Sequence, residues 1–395
     1  MIIFKENRLF LRFFLARVIS QIGDGIQALS ILWLSYHWSN SAFIVGMVMI
    51  SVSLPGILIS PLAGHLADRI NRVKIMVIAD ISRLFLVGLL AFLSFQNELN
   101  LPLLMIITAL ISIASAYFNP ASMAILPQIV KKDYIVKANA MIQISSGFSV
   151  MLGPLIGMGL IAVVGISIAF LLNALSFLAS ALLISGITVE FVGQIKNESV
   201  LENLKDGFKL LKTYPVVTKM LDKTIIINFF FSSITIVIPV FANTIYHKDA
   251  KGMGMMMAGF GFGMLAASIF LSSSNFKANI KITLISFLVF MGISFIVFGV
   301  VHNFYITLLS LISIGFCLNF VNVNIISFYQ NILPNEILGR IMAFLSAISL
   351  SMQPLSYGVT GMLIDWLGVG VVLVIGGVVI ILSALSIRSI KELED

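Results

Sequence analysis

Long apolar stretches with very few charges recur along this whole sequence. Typical stretches cover residues 57–62, 84–95 and 369–385. Only 10% of the residues are charged, whereas a soluble domain carries roughly 25%. A soluble fold of 395 residues could not hide this much apolar surface from water. We therefore expect lipid to be the solvent of the chain.

Lipid restricts a backbone to helices or a closed barrel, because unpaired N–H and C=O groups are too costly there. Barrel strands alternate apolar and polar residues over about ten positions, and the continuous apolar runs of this chain do not. The sequence therefore predicts an all-α membrane protein. Lys5, Arg8 and Arg12 precede the first apolar stretch without a small-residue cleavage site, so we expect a retained membrane helix rather than a signal peptide.

Twelve stretches are long enough to cross a membrane, since each helix needs about 20 mostly apolar residues. The predicted spans cover residues 9–35, 42–66, 74–95, 101–129, 137–162, 165–189, 216–246, 253–273, 281–300, 303–331, 338–363 and 368–388. A polar segment divides them into an N-terminal six-helix bundle (1–189), a cytoplasmic linker (190–215) and a C-terminal six-helix bundle (216–395). Charged residues at helical spacing predict an amphipathic helix in the linker. They are Glu198, Glu202, Lys205, Lys209 and Lys212.

The basic residues indicate the orientation, because cytoplasmic loops carry an excess of Lys and Arg. With the N-terminus inside, 20 of the 24 Lys and Arg residues fall on the inner side, and only Lys248 and Lys251 fall outside. Both termini are thus predicted to be cytoplasmic. The net charge is +7, but the basic residues are spread over every inner loop and are not gathered on one surface. This distribution argues against a nucleic-acid partner.

The two halves of the chain repeat each other weakly, with Pro154 in the fifth span matching Pro354 in the eleventh. Parallel six-helix repeats are a transporter architecture. The loop at residues 64–74 reads Gly-His-Leu-Ala-Asp-Arg-Ile-Asn-Arg-Val-Lys and resembles the signature loop of the major facilitator superfamily. Asn71 stands where glycine is usual, and asparagine tolerates a left-handed backbone nearly as well.

The fifth span carries small residues at four-residue spacing, a pattern similar to the antiporter motif of that superfamily's exporters. The motif residues are Ser145, Ser149, Gly153, Pro154 and Gly157. Such a face permits close approach of helices. Residues 19–24 and 118–127 look like the branch that contains macrolide efflux proteins and siderophore exporters. The resemblance implies the major facilitator fold and a conformational latch formed by Gly64, Asp68, Arg69 and Arg72.

Ionisable residues inside membrane spans are costly and are therefore functional candidates. Arg17 and Asp24 share one face of the first span with Gln21, because they follow helical spacing. Asp24 is either a proton-coupling group or substrate contact, or a structural partner of Arg17 or another cation. Asp80 and Arg83 lie three residues apart on the third span, where they are expected to form a structural or gating pair.

Other polar residues fall on spans that line the cavity in the superfamily. Together with Gln21 they are Tyr117, Asn119, Asn228, Ser232, Asn319, Asn322 and Gln353. Each is either a substrate contact or a hydrogen bond between helices.

The sequence predicts no enzyme and no cofactor. It has no phosphate-binding Gly-Lys-Ser/Thr loop, its glycines at 259–263 lie within a span and indicate packing, and its four histidines form no metal site. The leading hypothesis is a monomeric, proton-coupled exporter of an amphipathic drug-like compound in the plasma membrane, with a role in antibiotic resistance. The alternatives are a metallophore or siderophore exporter, a lysolipid translocator, and a non-transporting membrane sensor on the same fold.

Overall fold

The computed structural model describes residues 7–131, 134–189, 213–273 and 279–390, and every regular element in these ranges is helical. The α-helices are α1 (Arg8–Ser39), α2 (Ala42–Arg69), α3 (Arg72–Phe95), α4 (Leu101–Ile129), α5 (Ile135–Val163), α6 (Ile166–Ser185), α7 (Pro215–Val240), α8 (Asp249–Ser273), α9 (Ile280–Val300), α10 (Phe304–Ile332), α11 (Asn335–Leu367) and α12 (Val369–Ser386). A π-helical turn, Phe241–Ile245, extends α7. A 3₁₀ turn, Ile387–Ser389, follows α12.

Ten of these described helices are long and apolar enough to cross a membrane. The other two, α1 and α11, carry polar residues in their middle, including Asp24 and Gln353. The prediction of an all-helical membrane protein is confirmed, and the helix ends lie close to the predicted bounds. The predicted amphipathic helix at residues 198–212 lies outside the described residues.

Matching positions in the two halves start their helices in the same way. The pairs are Asn71 and Asn279 before α3 and α9, Asn100 and Asn303 before α4 and α10, and Gly165 and Gly368 before α6 and α12. Each asparagine side chain accepts backbone N–H bonds that would otherwise lack a partner at a helix start. Both glycines have positive φ, 86° and 87°, which glycine adopts readily. The internal repeat therefore extends to the backbone at these helix starts.

The expectation of a left-handed backbone at Asn71 is wrong. Its φ is −54° and its ψ is 117°, and its side-chain oxygen accepts bonds from the N–H groups of Val73 (2.9 Å) and Lys74 (3.4 Å). Asparagine therefore serves here as the cap of α3, a role for which glycine has no side chain.

The chain divides into two compact units. Unit 1 contains α1, α2 from Val48 onward, α3 to α6, and Asp249–Gly254 at the start of α8. Its helices pack through two hydrophobic clusters, one built around Phe10 and Phe13 and the other around Phe170.

Unit 2 contains Ser41–Met47 at the start of α2, α7, α8 from Met255 onward, and α9 to α12. Within it, α8 and α10 touch at backbone level. A Cβ on Gly263 would lie 2.0 Å from the carbonyl oxygen of Ile312. The predicted packing role of the glycines in α8 is confirmed by this contact.

Candidate functional site

Asp24 lies halfway along α1, and its side chain is exposed. The residues around it on α1, Gly23 and Gln27, are buried. An ionised carboxylate facing lipid at this depth would be very costly, so we take the exposed side of Asp24 to face water. Within the described part of the chain the carboxylate makes no hydrogen bond or ion pair. The charged residues in its surroundings are Arg17, Asp80 and Arg83.

Asp80 and Arg83 form a buried ion pair on α3, as their spacing predicted. Their exposed fractions are 0% and 4%, and the Arg83 guanidinium bonds directly to the Asp80 carboxylate. The second carboxylate oxygen accepts a bond from the Ser180 hydroxyl of α6 at 2.6 Å. Pairing and hydrogen bonding of this kind are what allow charges to remain buried.

Two aromatic rings enclose the Arg83 guanidinium. Its Cζ lies 4.4 Å from the ring centroid of Phe118 on α4 and 4.3 Å from that of Phe177 on α6. Both distances are within the range of cation–π attraction. Three helices thus hold this cation in one place.

Arg17 does not bond to Asp24. Its guanidinium donates to the hydroxyl of Ser122 on α4 at 2.6 Å, and Ser122 is itself buried. Its Nε is buried and has no hydrogen-bond partner within the described residues. The structure therefore brings Arg17 near Asp24 without making them a salt bridge.

Further polar contacts of α1 were missed by the sequence analysis. The Asn173 amide of α6 donates to the Gln27 side chain at 2.5 Å, and Ser176 donates to Asn173 at 3.0 Å. All three residues are buried. The sequence offered one signal for these contacts, namely two amides and a hydroxyl within otherwise apolar spans.

The small-residue face of α5 packs against α1. A Cβ on Gly153 would lie 2.6 Å from the Cα of Gly25, and one on Gly157 would lie 3.3 Å from the Cα of Ile26. Beside this contact the Gln21 amide donates to Ser146 at 2.9 Å. The close approach expected from the motif is present, and its partner is the helix that carries Asp24.

We expect Gly153→Ala to destabilise the protein by roughly 1–3 kcal/mol, because the new methyl group would force α5 away from α1. Gly159→Ala on the same helix is the matched control, since a Cβ there meets nothing within 4 Å. Thermal unfolding of both variants in detergent measures the difference. Equal stability of the two variants would contradict the packing role.

Three of the polar residues on α7 and α10 donate hydrogen bonds to nearby protein groups. Asn228 donates to the Thr224 carbonyl at 2.8 Å, and Ser232 donates to the Asn228 carbonyl at 2.9 Å. Asn319 on α10 donates to the Met264 carbonyl and to Ser268, both at 2.7 Å. All three side chains therefore donate hydrogen bonds to backbone carbonyls, and Asn319 donates to a hydroxyl as well.

Four other predicted cavity residues differ from them. Asn119 is exposed, whereas Tyr117, Asn322 and Gln353 are half-buried. Tyr117 packs against the hydrophobic cluster around Phe10. The side chains of Asn119, Asn322 and Gln353 make no hydrogen bond within the residues that the structure describes.

The predicted latch residues lie at the end of α2 and the start of α3. Arg72 donates to the carbonyl of Ala124 on α4 at 3.1 Å. Arg69 is exposed, and Gly64 has open space where a Cβ would be. The side chain of Asp68 lies outside the described part of the structure.

Comparison with known proteins adds three findings. The sequence profile of a family described as transmembrane secretion effector matches residues 5–394. The uncharacterised MFS-type transporter YkuC of Bacillus subtilis is 26% identical over 94% of this chain and 91% of its own length. Macrolide efflux protein A of Streptococcus pyogenes is 22% identical, covering 95% of this chain and 94% of its own.

The fold is similar to that of solved structures. The crystal structure of the nucleoside transporter NupG superposes with a TM-score of 0.78, covering 97% of this chain and 100% of its own. At 13% identity this likeness concerns the arrangement of helices only.

Proposed function

Because this chain belongs to the transmembrane secretion effector family of the major facilitator superfamily, we propose that it exports an amphipathic organic compound in exchange for protons. The resemblance seen in the signature loop is thereby confirmed at the level of the family. The chain is a multi-pass membrane transporter that carries a small molecule across the lipid bilayer of the cell. Direction, substrate and coupling ion are the proposed part.

The proposal of proton coupling is supported chiefly by the surroundings of the Asp24 carboxylate. It is an exposed carboxylate halfway along a membrane helix, without a direct ionic partner in the described residues, and it has Arg17, Asp80 and Arg83 in its surroundings. A carboxyl group in such a place can take up and release a proton as the cavity opens to alternate sides. Asp80 is the contrasting case, because its ion pair with Arg83 and its bond from Ser180 suit it to a structural role.

The direction and substrate class are supported by the small-residue face of α5 and by the macrolide efflux relative. We propose that Asn119, Asn322 and Gln353 contact the substrate, because their side chains are not occupied within the described residues. The signature-loop residues Gly64, Asp68, Arg69 and Arg72 act as the latch. Both termini lie in the cytoplasm in this proposal, two six-helix bundles flank the linker at 190–215, and the transporter works as a monomer.

The test is transport by the purified protein in liposomes that hold its cytoplasmic face outward. With an acid lumen, we expect a macrolide or a related amphipathic compound to accumulate inside, because protons leaving the lumen drive substrate into it. A protonophore should abolish the accumulation. Downhill flux that ignores the pH difference would refute coupling, and accumulation of lysolipid but of no drug-like compound would refute the substrate class.

A further inference from the structure

A cavity opens between the start of α7 and the end of α12, within unit 2. Its volume is about 440 Å³, and small-molecule sites span about 300–1,000 Å³. The two helices touch farther along, where a Cβ on Gly376 would lie 2.8 Å from Cδ1 of Phe230. The polar lining of this α7–α12 cavity consists of Thr218, Lys219, Asp222, Lys223, Ser386 and Ser389.

Two lysines give the cavity a positive charge. Lys219 is exposed, whereas Lys223 is 8% exposed and its ammonium bonds to the Asp222 carboxylate. The other two N–H donors of that ammonium make no hydrogen bond within the described residues. The Asp222 side chain is 58% exposed, so water can hydrate it. A buried ammonium with unused donors, beside a second lysine, suits an anionic group.

The two serines offer acceptors rather than donors. The Ser386 hydroxyl donates to the Ser383 carbonyl, and the Ser389 hydroxyl donates to the Ser386 carbonyl, both at 2.7 Å. Because each hydrogen is engaged, the hydroxyl oxygens present lone pairs on an exposed surface. A ligand that fits therefore combines a phosphate for the lysines with hydroxyl groups that donate to the serines. A phosphodiester of glycerol has both.

An apolar stripe on α12 leads to the cavity. Its exposed side chains recur at helical spacing, and they are Val371, Ile375, Val378 and Leu382. Ser386 continues the stripe, since residues four apart share a helix face. The acyl chains of a lipid can lie along such a stripe, whereas a soluble anion has no use for it. The stripe therefore favours a lipid as the source of the phosphate.

We propose that the α7–α12 cavity binds the headgroup of an anionic phospholipid of the phosphatidylglycerol class. The phosphate lies against the ammonium groups of Lys219 and Lys223, and the terminal glycerol donates its hydroxyls to Ser386 and Ser389. The predicted topology places these helix ends at the cytoplasmic surface, where basic pockets between membrane helices hold such headgroups. The site is independent of Asp24, so it does not depend on what the transporter exports.

The test titrates the purified full-length chain in detergent with dioleoyl phosphatidylglycerol and counts bound lipids by native mass spectrometry. Lys219→Gln should weaken binding about fivefold, since a lysine near an anionic headgroup contributes a factor of this size. Adding Lys223→Gln should bring the loss to about 25-fold. Lys219 is exposed, so the single variant tests the site even where the double variant fails to fold. Unchanged affinity in Lys219→Gln would overturn the proposal.

Lys131→Gln with Lys137→Gln is the matched control, because both lysines are exposed, lie on the same predicted side and remove the same charge. It should leave the affinity unchanged, and an equal loss would overturn the proposal by showing general attraction to the basic surface. Ser386→Ala with Ser389→Ala should weaken binding of phosphatidylglycerol about fivefold. Phosphatidic acid has no headgroup glycerol, and its binding should not change. An equal effect on both lipids would contradict the glycerol contacts.

Soluble glycerol 3-phosphate distinguishes the two sources of the phosphate. It should fail to displace the lipid at equal concentration, because it has no acyl chains to lie along α12. Displacement by glycerol 3-phosphate would overturn the lipid as the ligand. Equal binding of zwitterionic phosphatidylcholine would overturn the role of the lysines.

Discussion

Asp24→Asn is expected to abolish uphill export while leaving downhill exchange within about twofold of wild type. The substituted amide keeps the shape of the side chain but cannot carry a proton, so the coupling step is lost and the cavity remains. Both quantities are measured in the same liposomes, with and without an imposed pH difference. The protein should fold normally, because the Asp24 side chain is exposed and forms no ion pair within the described residues.

Two further variants distinguish coupling from structure. Glu98→Gln neutralises another exposed carboxylate and should leave uphill export intact. If Asp24 instead supported Arg17 structurally, the single change would reduce expression, and Arg17→Gln combined with Asp24→Asn would restore both expression and export. A well-folded Asp24→Asn protein with normal uphill export would eliminate both roles.

Asp80→Leu is expected to destabilise the protein by about 3–5 kcal/mol, because it leaves the buried Arg83 cation without its partner. Phe118 and Phe177 both pack on the guanidinium, and Arg83 is only 4% exposed, so water cannot readily replace the lost carboxylate. Thermal unfolding in detergent measures the loss. Ser180→Ala, which removes one hydrogen bond to the same carboxylate, should cost only about 1 kcal/mol.

A double variant separates the structural role of the pair from its electrostatic one. Asp80→Leu with Arg83→Met replaces the ion pair by apolar side chains, a change that often restores stability. Export should remain impaired, because Asp24 loses a neighbouring cation. Wild-type export by the stable double variant would show that Arg83 has no influence on coupling, and an unaltered melting temperature of Asp80→Leu would contradict the structural role.

The helices could be predicted from the sequence because the requirement for an apolar span is local. The Asp80–Arg83 pair was predictable for the same reason, since residues three apart on a helix are neighbours. The aromatic rings around Arg83 were not, because Phe118 and Phe177 come from helices whose packing the sequence does not specify. Asn71 shows a different limit: the pattern suggested a substitute for glycine, and the residue proved to be a helix cap.

Arg17 illustrates why partners are harder to predict than candidates. Its spacing from Asp24 placed both on one face of α1, and the nearest opposite charge in sequence was the natural partner to expect. The hydroxyl of Ser122 takes its guanidinium instead, and only the packing of α4 against α1 brings that hydroxyl within reach. The Asp365 carboxylate near the end of α11 accepts the backbone N–H of Ala42 at the start of α2, and this contact was not predicted for the same reason.

The polar contacts of α1 have a consequence for how the chain is made. Their partners are Ser122, Ser146 and Asn173, which follow 105, 125 and 146 residues later. The ribosome delivers α1 first, and none of these partners exists when it reaches the insertion machinery. The polar side of α1 must therefore be kept away from lipid until α6 has been synthesised. We expect insertion of the unfinished chain to be least favourable up to that point, near the middle of translation.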